Sequence, residues 1–251
     1  TIVVGDKGQS LRDSFVVFDI ETTGFSPIKE HIIEIGAVKV ENGVIVDRFS
    51  RFVNPQMPIP FRIEQLTGIR DDMVADADTI DVVLPAFLEF CEDCVLVAHN
   101  AEFDMSFIKE KAERLHIKKE FTYVDTMGIA RLLLTEQAKH TLDAVAKTLK
   151  ISLENHHRAV DDAECTAEIF TRFIEMLEER GIRTLAELLK DSKTNPDIIR
   201  RMPTSHVIIL AKNYLAKVYG VKTGEAIWEA KQKCPTLICV APSFDRYEEY
   251  S

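Results

Sequence analysis

Four carboxylates and one histidine stand out in this sequence, because side chains of these types together can hold metal ions and move a proton. Asp19 and Glu21 lie in VVFDIETTG, Asp104 lies in VAHNAEFD, and His157 and Asp162 lie in HHRAVDDAE. Four converging acids would repel one another and raise their own pKa values, so the set makes physical sense mainly as an ion cage. Carboxylate oxygen is the ligand that hard divalent cations prefer. Taken singly, each residue has an ordinary explanation as a helix cap or a solvated acid.

The first two acids lie at the end of a predicted strand. Residues 14–20 are mostly β-branched or aromatic and are followed by a threonine pair and a glycine, which indicates a buried strand that stops at a turn. Side chains of a strand alternate between its faces, so Asp19 and Glu21 point the same way. The Asp-x-Glu pattern recurs at Asp162 and Glu164. The pattern alone is therefore weak, and its context decides the interpretation.

Predicted helices position the other three residues. Asp104 falls in the first turn of a helix predicted over 102–115, which follows a short apolar strand at 95–98. From 158 to 179, apolar residues recur at helical spacing with acids on the opposite face. The histidine and the last aspartate lie at or near the start of this helix.

These three segments together carry a family resemblance. FDIETTG, HNAEFD and HRAVDDA, in this order and at these separations, resemble the three exonuclease motifs of the DEDD superfamily, in the DEDDh branch that has histidine in the third motif. The resemblance implies that Asp19 bridges two metal ions and that Glu21 and Asp162 complete one of the two sites. It also implies that Asp104 serves the other site and that His157 is the general base.

The third motif contains two plausible decoys, His156 and Asp161. The resemblance selects their neighbours His157 and Asp162, because the His-Arg-Ala frame and the five-residue offset fit the family.

The reaction implied by the resemblance is 3′→5′ hydrolysis of a phosphodiester with release of nucleoside 5′-monophosphates. Such hydrolysis benefits from two divalent ions about 3.5–4 Å apart, here Mg²⁺ or Mn²⁺. Histidine suits the role of base because its ordinary pKa of about 6.5 lets it take a proton from water near neutral pH.

A second set of residues is predicted to contact the substrate. Gly24 lacks a Cβ and would let the backbone at the strand end approach the terminal nucleotide. The segment IEQLTGI, residues 63–69, resembles the family's loop that braces the last bases, and Phe103 would pack against one base. A structural role is an open alternative for each of these residues. The full set is Thr22, Thr23, Gly24, Leu66, Thr67, Gly68, Ile69, Asn100 and Phe103.

The coarse pattern of the chain predicts an α/β fold, a mixed sheet of about five strands with flanking helices and a C-terminal appendage. This arrangement resembles the ribonuclease H-like fold, with three antiparallel strands first. Asn42-Gly43 marks a hairpin turn, and His140 is interpreted as part of a helix start. Strands are predicted near 15–20, 32–41, 44–53, 95–98 and 122–125, and helices near 79–91, 102–115, 126–134, 141–149 and 158–179.

Composition limits the class of protein. A chain of 251 residues, 46% hydrophobic and 29% charged, suits one medium α/β domain with appendages. No apolar run approaches the roughly 20 residues that span a bilayer, and no signal-peptide pattern is visible, so we expect no membrane association. Cys91 and Cys94 form a CxxC without a second pair at zinc spacing. We interpret the cysteines as structural thiols in a reducing cytoplasm.

The charge of the chain disfavours tight nonspecific binding of nucleic acid. The formal net charge is −10, from 41 acids and 31 bases, and phosphate contacts need lysine and arginine. We therefore expect weak DNA binding by this domain alone, with bound metal supplying local positive potential. An attached polymerase core, with other replisome subunits as possible partners, would present the DNA 3′ end.

The flanking segments refine the resemblance. Residues 1–10 and 179–213 resemble the borders of the exonuclease in PolC-type replicative polymerases, where it interrupts a PHP domain. The resemblance predicts an N-terminal flank over 1–12 and an exonuclease domain over 13–180. A helical linker then covers 181–213 and ends in VIILAKN, the first strand of the returning PHP half.

Residues 214–251 resemble a different family, the palm and fingers of a Y-family translesion polymerase. The acidic motifs that such a polymerase needs do not accompany this piece, so it cannot polymerise by itself. We interpret the change of resemblance near Asn213 as a join made by recombination, engineering or faulty sequence assembly. The alternative is a divergent tail whose KTGEAIWEAK helix packs on the domain.

Three functions agree with the sequence. The first is a proofreading 3′→5′ exodeoxyribonuclease, and the second is an RNA-trimming nuclease of the same superfamily, since sugar choice depends on contacts around the 2′ position. The third is a noncatalytic replisome-binding module that keeps only the fold. The complete set of five motif residues favours a catalyst over a noncatalytic module.

Overall fold

The computed structural model describes residues 8–92, 94–153, 157–191 and 199–203. The chain divides into two units, residues 1–204 and 205–251, and the described sheet and helices all belong to the first unit. The predictions for His156, for VIILAKN and for the segment 214–251 lie outside the described residues.

One six-stranded mixed sheet forms the centre of the fold, in the order β3-β2-β1-β4-β5-β6. The first three strands are antiparallel neighbours, β4 runs parallel to both β1 and β5, and β6 is antiparallel to β5. The strands are β1 (Phe15–Thr22), β2 (Ile32–Glu41), β3 (Val44–Phe52), β4 (Val95–Ala98), β5 (Glu120–Asp125) and β6 (Ile199–Pro203).

Eight helices flank or follow the strands in the described part of the chain. They are α1 (Phe61–Thr67), α2 (Asp71–Val74), α3 (Ile80–Cys91), α4 (Ala101–Arg114), α5 (Thr126–Leu133), α6 (Leu142–Leu149), α7 (Ala159–Glu179) and α8 (Leu185–Asp191). Among these helices none has the length and apolar character that crossing a membrane requires.

The period of the central strand divides the core between the two faces of the sheet. Phe15 and Val17 belong to the apolar cluster that contains the buried residues of α7, whereas Val16 and Phe18 belong to the cluster that contains those of α3 and α4. Because side chains alternate along a strand, Asp19 continues the row of Phe15 and Val17 and faces the α7 side.

The hairpin between β2 and β3 forms where its turn residues predict it. Asn42 has φ 52° and Gly43 has φ 75°, the pair of positive φ angles that a two-residue type I′ turn requires. The turn joins the two longest strands and leaves β3 at the edge of the described sheet.

The five predicted strands and five predicted helices are confirmed, and the ribonuclease H-like arrangement with them. Within the segment 181–213, predicted as a helical linker that ends in a strand, the described residues contain α8 and a sixth strand, β6, whose position was not predicted. Ile199–Pro203 has no alternating pattern and ends in proline, so its sequence does not mark a strand. The segment is a strand because it pairs with β5 at the edge of the sheet, where proline is tolerated.

Candidate active site

The two acids of the first motif lie near the end of β1, both partly exposed among buried neighbours. In the antiparallel pairing with β2, Asp19 lies opposite Gly36 and Glu21 lies opposite Glu34. β1 runs on to Thr22, two residues beyond the predicted end, so both acids are held by regular strand pairing. Their positions are therefore rigid, as a metal site requires.

Asp104 reaches the same strand from α4. It lies in the first turn of the helix, as predicted, and its side chain is 3% exposed. Its Oδ1 accepts a hydrogen bond of 3.2 Å from the backbone N–H of Ile20, the residue between the two acids of β1. This bond fixes the start of α4 against β1 and brings the third acid to the first two.

A buried acid that was not predicted from the sequence supports the start of α4. Oδ1 of Asp125, at the end of β5, accepts backbone hydrogen bonds from Asn100 at 2.9 Å, Ala101 at 3.3 Å and Met127 at 3.0 Å. Asp125 thus caps α5 and also holds the residues that begin α4. An aspartate between a strand and a helix is an N-cap signal, and it was available in the sequence.

His99 lies beside these elements but has no titration near neutral pH. Burial lowers its pKa to about 4. One ring nitrogen lies 2.8 Å from the Thr126 hydroxyl and the other 2.8 Å from the carbonyl of His140. His140 precedes α6 and bonds the Leu134 carbonyl through its ring, in keeping with the predicted role at a helix start. Both histidines are structural supports.

The third motif completes the site at the start of α7. His157 has φ 71°, and its backbone N–H donates to Oδ2 of Asp162 at 3.1 Å. Ligand atoms of Glu21, His157 and Asp162 all lie within 4.8 Å of one another. Asp19 and Asp104 are not members of this closest group, although both lie near enough to interact with it electrostatically.

An ion pair between β2 and the start of α7 sets the place of the third motif. Glu34, whose side chain is 1% exposed, accepts hydrogen bonds from Arg158 at 2.9 Å and from the Ala159 N–H at 3.1 Å. Next to it, a Cβ added to Gly36 would lie 2.1 Å from the Val160 nitrogen. The glycine is therefore what lets the helix start touch the sheet. We call Glu34 and Arg158 the α7 anchor.

The α7 anchor was not predicted from the sequence either. Its signal is an acid inside an otherwise apolar strand run, HIIEIGAVKV, because a buried carboxylate needs a partner. The identity of the partner is not written in the local sequence, since Glu34 and Arg158 are 124 residues apart.

Burial and mutual repulsion raise the pKa values of the clustered acids. Burial is the main cause for Asp19, Glu21 and Asp104. Repulsion from Asp162 and Glu34 adds to it at Glu21, whose pKa is raised to about 9. Divalent cations would offset this repulsion, and the donors are the hard oxygens that such ions prefer. The residues present thus fit the divalent metal ions that an exonuclease site implies.

The predicted substrate contacts next to β1 are held by bonds within the chain. The Thr22 hydroxyl donates to the Gly24 carbonyl at 2.7 Å, and the Thr23 hydroxyl donates to Glu30 Oε2 at 2.6 Å. A Cβ on Gly24 would lie 2.9 Å from Glu30 Cδ. The nearby atoms belong to the flexible Glu30 side chain, so this contact alone does not require glycine, and the predicted approach of Gly24 to a nucleotide stays a prediction.

The expectation of a loop at residues 63–69 needs correction, because residues up to Thr67 belong to α1. Gly68 ends the helix in the left-handed region, with φ 70°, and Ile69 is buried. Leu66 is 49% exposed and thus accessible. The local sequence has no helix-start residue before Phe61, which is why the short helix escaped prediction.

Asn100 and Phe103 lie at the start of α4. Asn100 is exposed and has φ 62°. The Phe103 ring packs 5.2 Å from Phe107 and 6.4 Å from Phe25, centroid to centroid. Phe25 is 75% exposed, so this row of rings reaches the surface. Contact of Phe103 with a base stays a prediction.

The cysteines of the CxxC are free thiols. Burial raises the pKa of Cys91, and the sulfur of Cys94 lies 3.3 Å from the Ser14 hydroxyl. These contacts agree with the structural role expected from the sequence.

A model of the exonuclease family matches residues 16–170, which contain all five motif residues. The chain belongs to the exonuclease family. A second model, that of the impB/mucB/samB family, matches residues 184–251. It includes the segment with the expected resemblance to another family but begins before residue 214.

The exonuclease domain has high-identity relatives among PolC-type DNA polymerases III. The PolC-type DNA polymerase III of Caldanaerobacter subterraneus subsp. tengcongensis is 49% identical over 212 residues, which are 84% of this chain and 15% of that protein. The chain therefore spans a small part of the relatives that it matches. It is an exonuclease domain homologous to the corresponding part of PolC-type polymerases.

Solved exonucleases share the fold of the domain. Exonuclease X in complex with 5′ overhanging duplex DNA is 29% identical, with a TM-score of 0.53, over 64% of this chain and 92% of that one. The nuclease domain of 3′hExo, a DEDDh family member bound to rAMP, is 21% identical, with a TM-score of 0.59, over 66% and 93% of the two chains.

Proposed function

We propose that this chain is the 3′→5′ proofreading exonuclease domain of a PolC-type replicative DNA polymerase. The observation that carries the proposal is the convergence of Glu21, His157 and Asp162 within 4.8 Å, with Asp19 and Asp104 beside them. The substrate would be the 3′ end of DNA, single-stranded or frayed from a primer, and the products nucleoside 5′-monophosphates.

The proposed cofactors are two divalent ions, Mg²⁺ or Mn²⁺, held by Asp19, Glu21, Asp104 and Asp162. When bound, such ions supply activated water and stabilise the charge that develops on the leaving oxygen. His157 accepts the proton of the attacking water. Its backbone bond to Asp162 keeps the base and an ion-binding acid together on one short segment, so proton transfer and cation binding share a fixed geometry.

DNA is favoured over RNA by the relatives at high identity. The 49% identical relative is a DNA polymerase, whereas the neighbour bound to rAMP is 21% identical and supports the fold alone. Matched DNA and RNA oligonucleotides of one sequence, digested side by side, test this choice. Faster digestion of DNA is expected, and faster digestion of RNA would favour the RNA-trimming alternative.

The proposal extends to partners, location and segment borders. The polymerase core of the same parent chain would deliver the primer end, with replisome subunits nearby in the cytoplasm. The proposed segments remain 1–12, 13–180, 181–213 and 214–251, with the last one foreign to the exonuclease domain. The match of residues 184–251 to a different family supports a change of origin after the domain.

Digestion of a 3′-mismatched primer with Mg²⁺ or Mn²⁺ tests the proposed function. Asp19→Ala is expected to lower the rate by at least about a thousandfold, and His157→Ala by about a hundredfold, within the usual range for a general base. Activity that survives Asp19→Ala would refute the assigned metal site.

A neighbouring pair of aspartates supplies a matched control. Asp162→Ala should remove activity, whereas Asp161→Ala, one residue away on the same helix, should keep it. The reverse result would show that the third motif was assigned to the wrong aspartate.

A further inference from the structure

The loop that follows β1, residues 23–31, carries two of the predicted substrate contacts and is closed at its neck. The Thr23 N–H donates to the His31 carbonyl at 2.8 Å, and the His31 N–H donates back to the Thr23 hydroxyl at 2.9 Å. A closed neck fixes the two ends of the loop. The position of its middle depends on what the middle touches.

Lys111 of α4 holds the middle of the loop. Its side chain is 4% exposed, and its Nζ donates to the carbonyls of Pro27 at 2.9 Å and Glu30 at 2.7 Å. The ammonium group also lies 5.8 Å from the centre of the Phe107 ring. Lysine is rarely buried to this degree without strong partners, and here its partners are backbone oxygens of the loop.

Arg114, one turn further along α4, adds a third contact of the same kind. Its Nη2 donates to the carbonyl of Ile28, and its Nε donates to Glu110 at 2.7 Å. Two cations of one helix therefore bind three carbonyls of one loop. We call Lys111 and Arg114 the loop clamp.

The loop clamp and the metal site share a helix. Asp104 lies about two turns before Lys111 on α4, and its carboxylate is bonded to β1 through Ile20. The clamp holds the backbone carbonyl of Glu30. The side chain of the same residue accepts a hydrogen bond of 2.6 Å from the Thr23 hydroxyl. The chain of contacts thus runs from the helix to the predicted substrate contacts at Thr23 and Gly24.

We propose that Lys111, assisted by Arg114, is a positioning residue. It holds the loop of residues 23–31 in the position in which the loop contacts the terminal nucleotide. This inference rests on the proposed function, because it assigns the loop a substrate. The clamp touches neither the metal ligands nor His157 in any described hydrogen bond, so it acts on substrate binding more than on the chemical step.

Steady-state digestion of single-stranded DNA in Mg²⁺ by the full chain tests the proposal. Lys111→Met keeps the bulk of the side chain but leaves two carbonyls without their charged donor, and we expect KM to rise about tenfold. kcat should stay within about twofold, because metal ligands and base keep their places. Lys111→Arg, which retains a charged donor, should restore most of the lost affinity.

A matched control removes a similar lysine elsewhere. Lys119 donates to the carbonyls of Leu88 at 3.4 Å and Glu92 at 2.7 Å, so Lys119→Met loses the same type of contact away from the loop. Its KM should equal that of the wild type.

The outcomes separate the two proposals. An inactive wild type would refute the proposed function and the positioning role with it. An active wild type with unchanged KM in Lys111→Met overturns only the positioning role, as does a parallel loss of kcat that follows the fraction of folded protein. Should Lys111→Met fail to fold, Arg114→Met, whose side chain is 48% exposed, decides the test through an expected rise in KM of about threefold.

Discussion

Two regions beside β1 are fixed by buried ions of opposite sign. At the start of α7, the Glu34 carboxylate accepts hydrogen bonds from the Arg158 side chain and the Ala159 N–H. In the loop after β1, the Lys111 ammonium donates hydrogen bonds to the carbonyls of Pro27 and Glu30. A helix start offers unpaired N–H groups, which suit an anion, whereas the loop turns carbonyls inward, which suit a cation.

The two regions hold different parts of the site. The α7 anchor holds His157 and Asp162 against Glu21, where small displacements change cation binding and proton transfer. The loop clamp holds a segment with an exposed ring, Phe25, next to the site. We therefore expect damage to the anchor to reduce kcat and damage to the clamp to raise KM.

The largest effect is expected from Gly36→Ala, which disrupts the contact between β2 and the start of α7 and leaves the loop clamp intact. The new Cβ would lie 2.1 Å from the backbone nitrogen of Val160 and 2.2 Å from the carbonyl carbon of Ala159. Neither neighbour is a flexible side chain, so the helix start must shift, at a cost of about 3 kcal/mol. Urea unfolding measures this loss of stability, and digestion should lose most of its rate.

Gly181→Ala is the control for that substitution. Gly181 has φ 78° and no atom within 4 Å of an added Cβ, so only backbone strain of about 1 kcal/mol is expected. Equal destabilisation by the two variants would show that the contact at Gly36 is not what holds α7 to the sheet.

A smaller effect is expected from Glu34→Gln, which keeps the shape of the anchor and removes its charge. Arg158 would then face a neutral amide, and we expect a loss of about 2 kcal/mol in unfolding free energy. kcat should fall with little change in KM, the reverse of the pattern for Lys111→Met. A rise in KM at constant kcat would erase the functional distinction between the two regions.

A separate prediction concerns pH dependence, measured by thermal unfolding in a metal chelator. Burial raises the pKa of Glu21 from 4.5 to about 9, so its contribution to stability is present below pH 4.5 and is lost as pH rises through 9. Glu21→Gln should make the unfolding temperature less dependent on pH between 4.5 and about 9. Added Mg²⁺ should stabilise the wild type more at pH 9 than at pH 5, because ionised acids bind it.

The contribution of Lys111 to stability should depend on pH in the opposite direction. Burial lowers its pKa from 10.5 to about 8, with Arg114 adding to the shift and Glu110 and Glu30 opposing it. Its contribution is therefore present above pH 10.5 and is lost as pH falls through 8. Lys111→Met should remove this dependence, and an unchanged profile above pH 8 would contradict the burial of a charged lysine.

Local patterns predicted the elements that carry the site. A run of β-branched and aromatic residues predicted β1, and helical spacing predicted α7 with its acids on one side. The motif residues were assigned from the resemblance of the three motifs taken together, because each residue taken singly has an ordinary explanation. The short α1 and β6 escaped because tertiary pairing, not local pattern, stabilises them.

The supports of the site could not be predicted in the same way. Glu34 and Arg158 are 124 residues apart, and Lys111 and Pro27 are 84 apart. A buried charge can be suspected from an acid or lysine on an apolar face, but its partner depends on how distant elements pack. The sequence therefore identifies the reacting groups better than the contacts that hold them in place.

Digestion of 5′-labelled DNA with Mg²⁺ tests the central claim most directly. We predict a ladder that shortens from the 3′ end, with nucleoside 5′-monophosphates as the released product and no digestion by Asp19→Ala. Early release of the labelled 5′ nucleotide, internal cleavage, or equal digestion by the Asp19→Ala variant would contradict it.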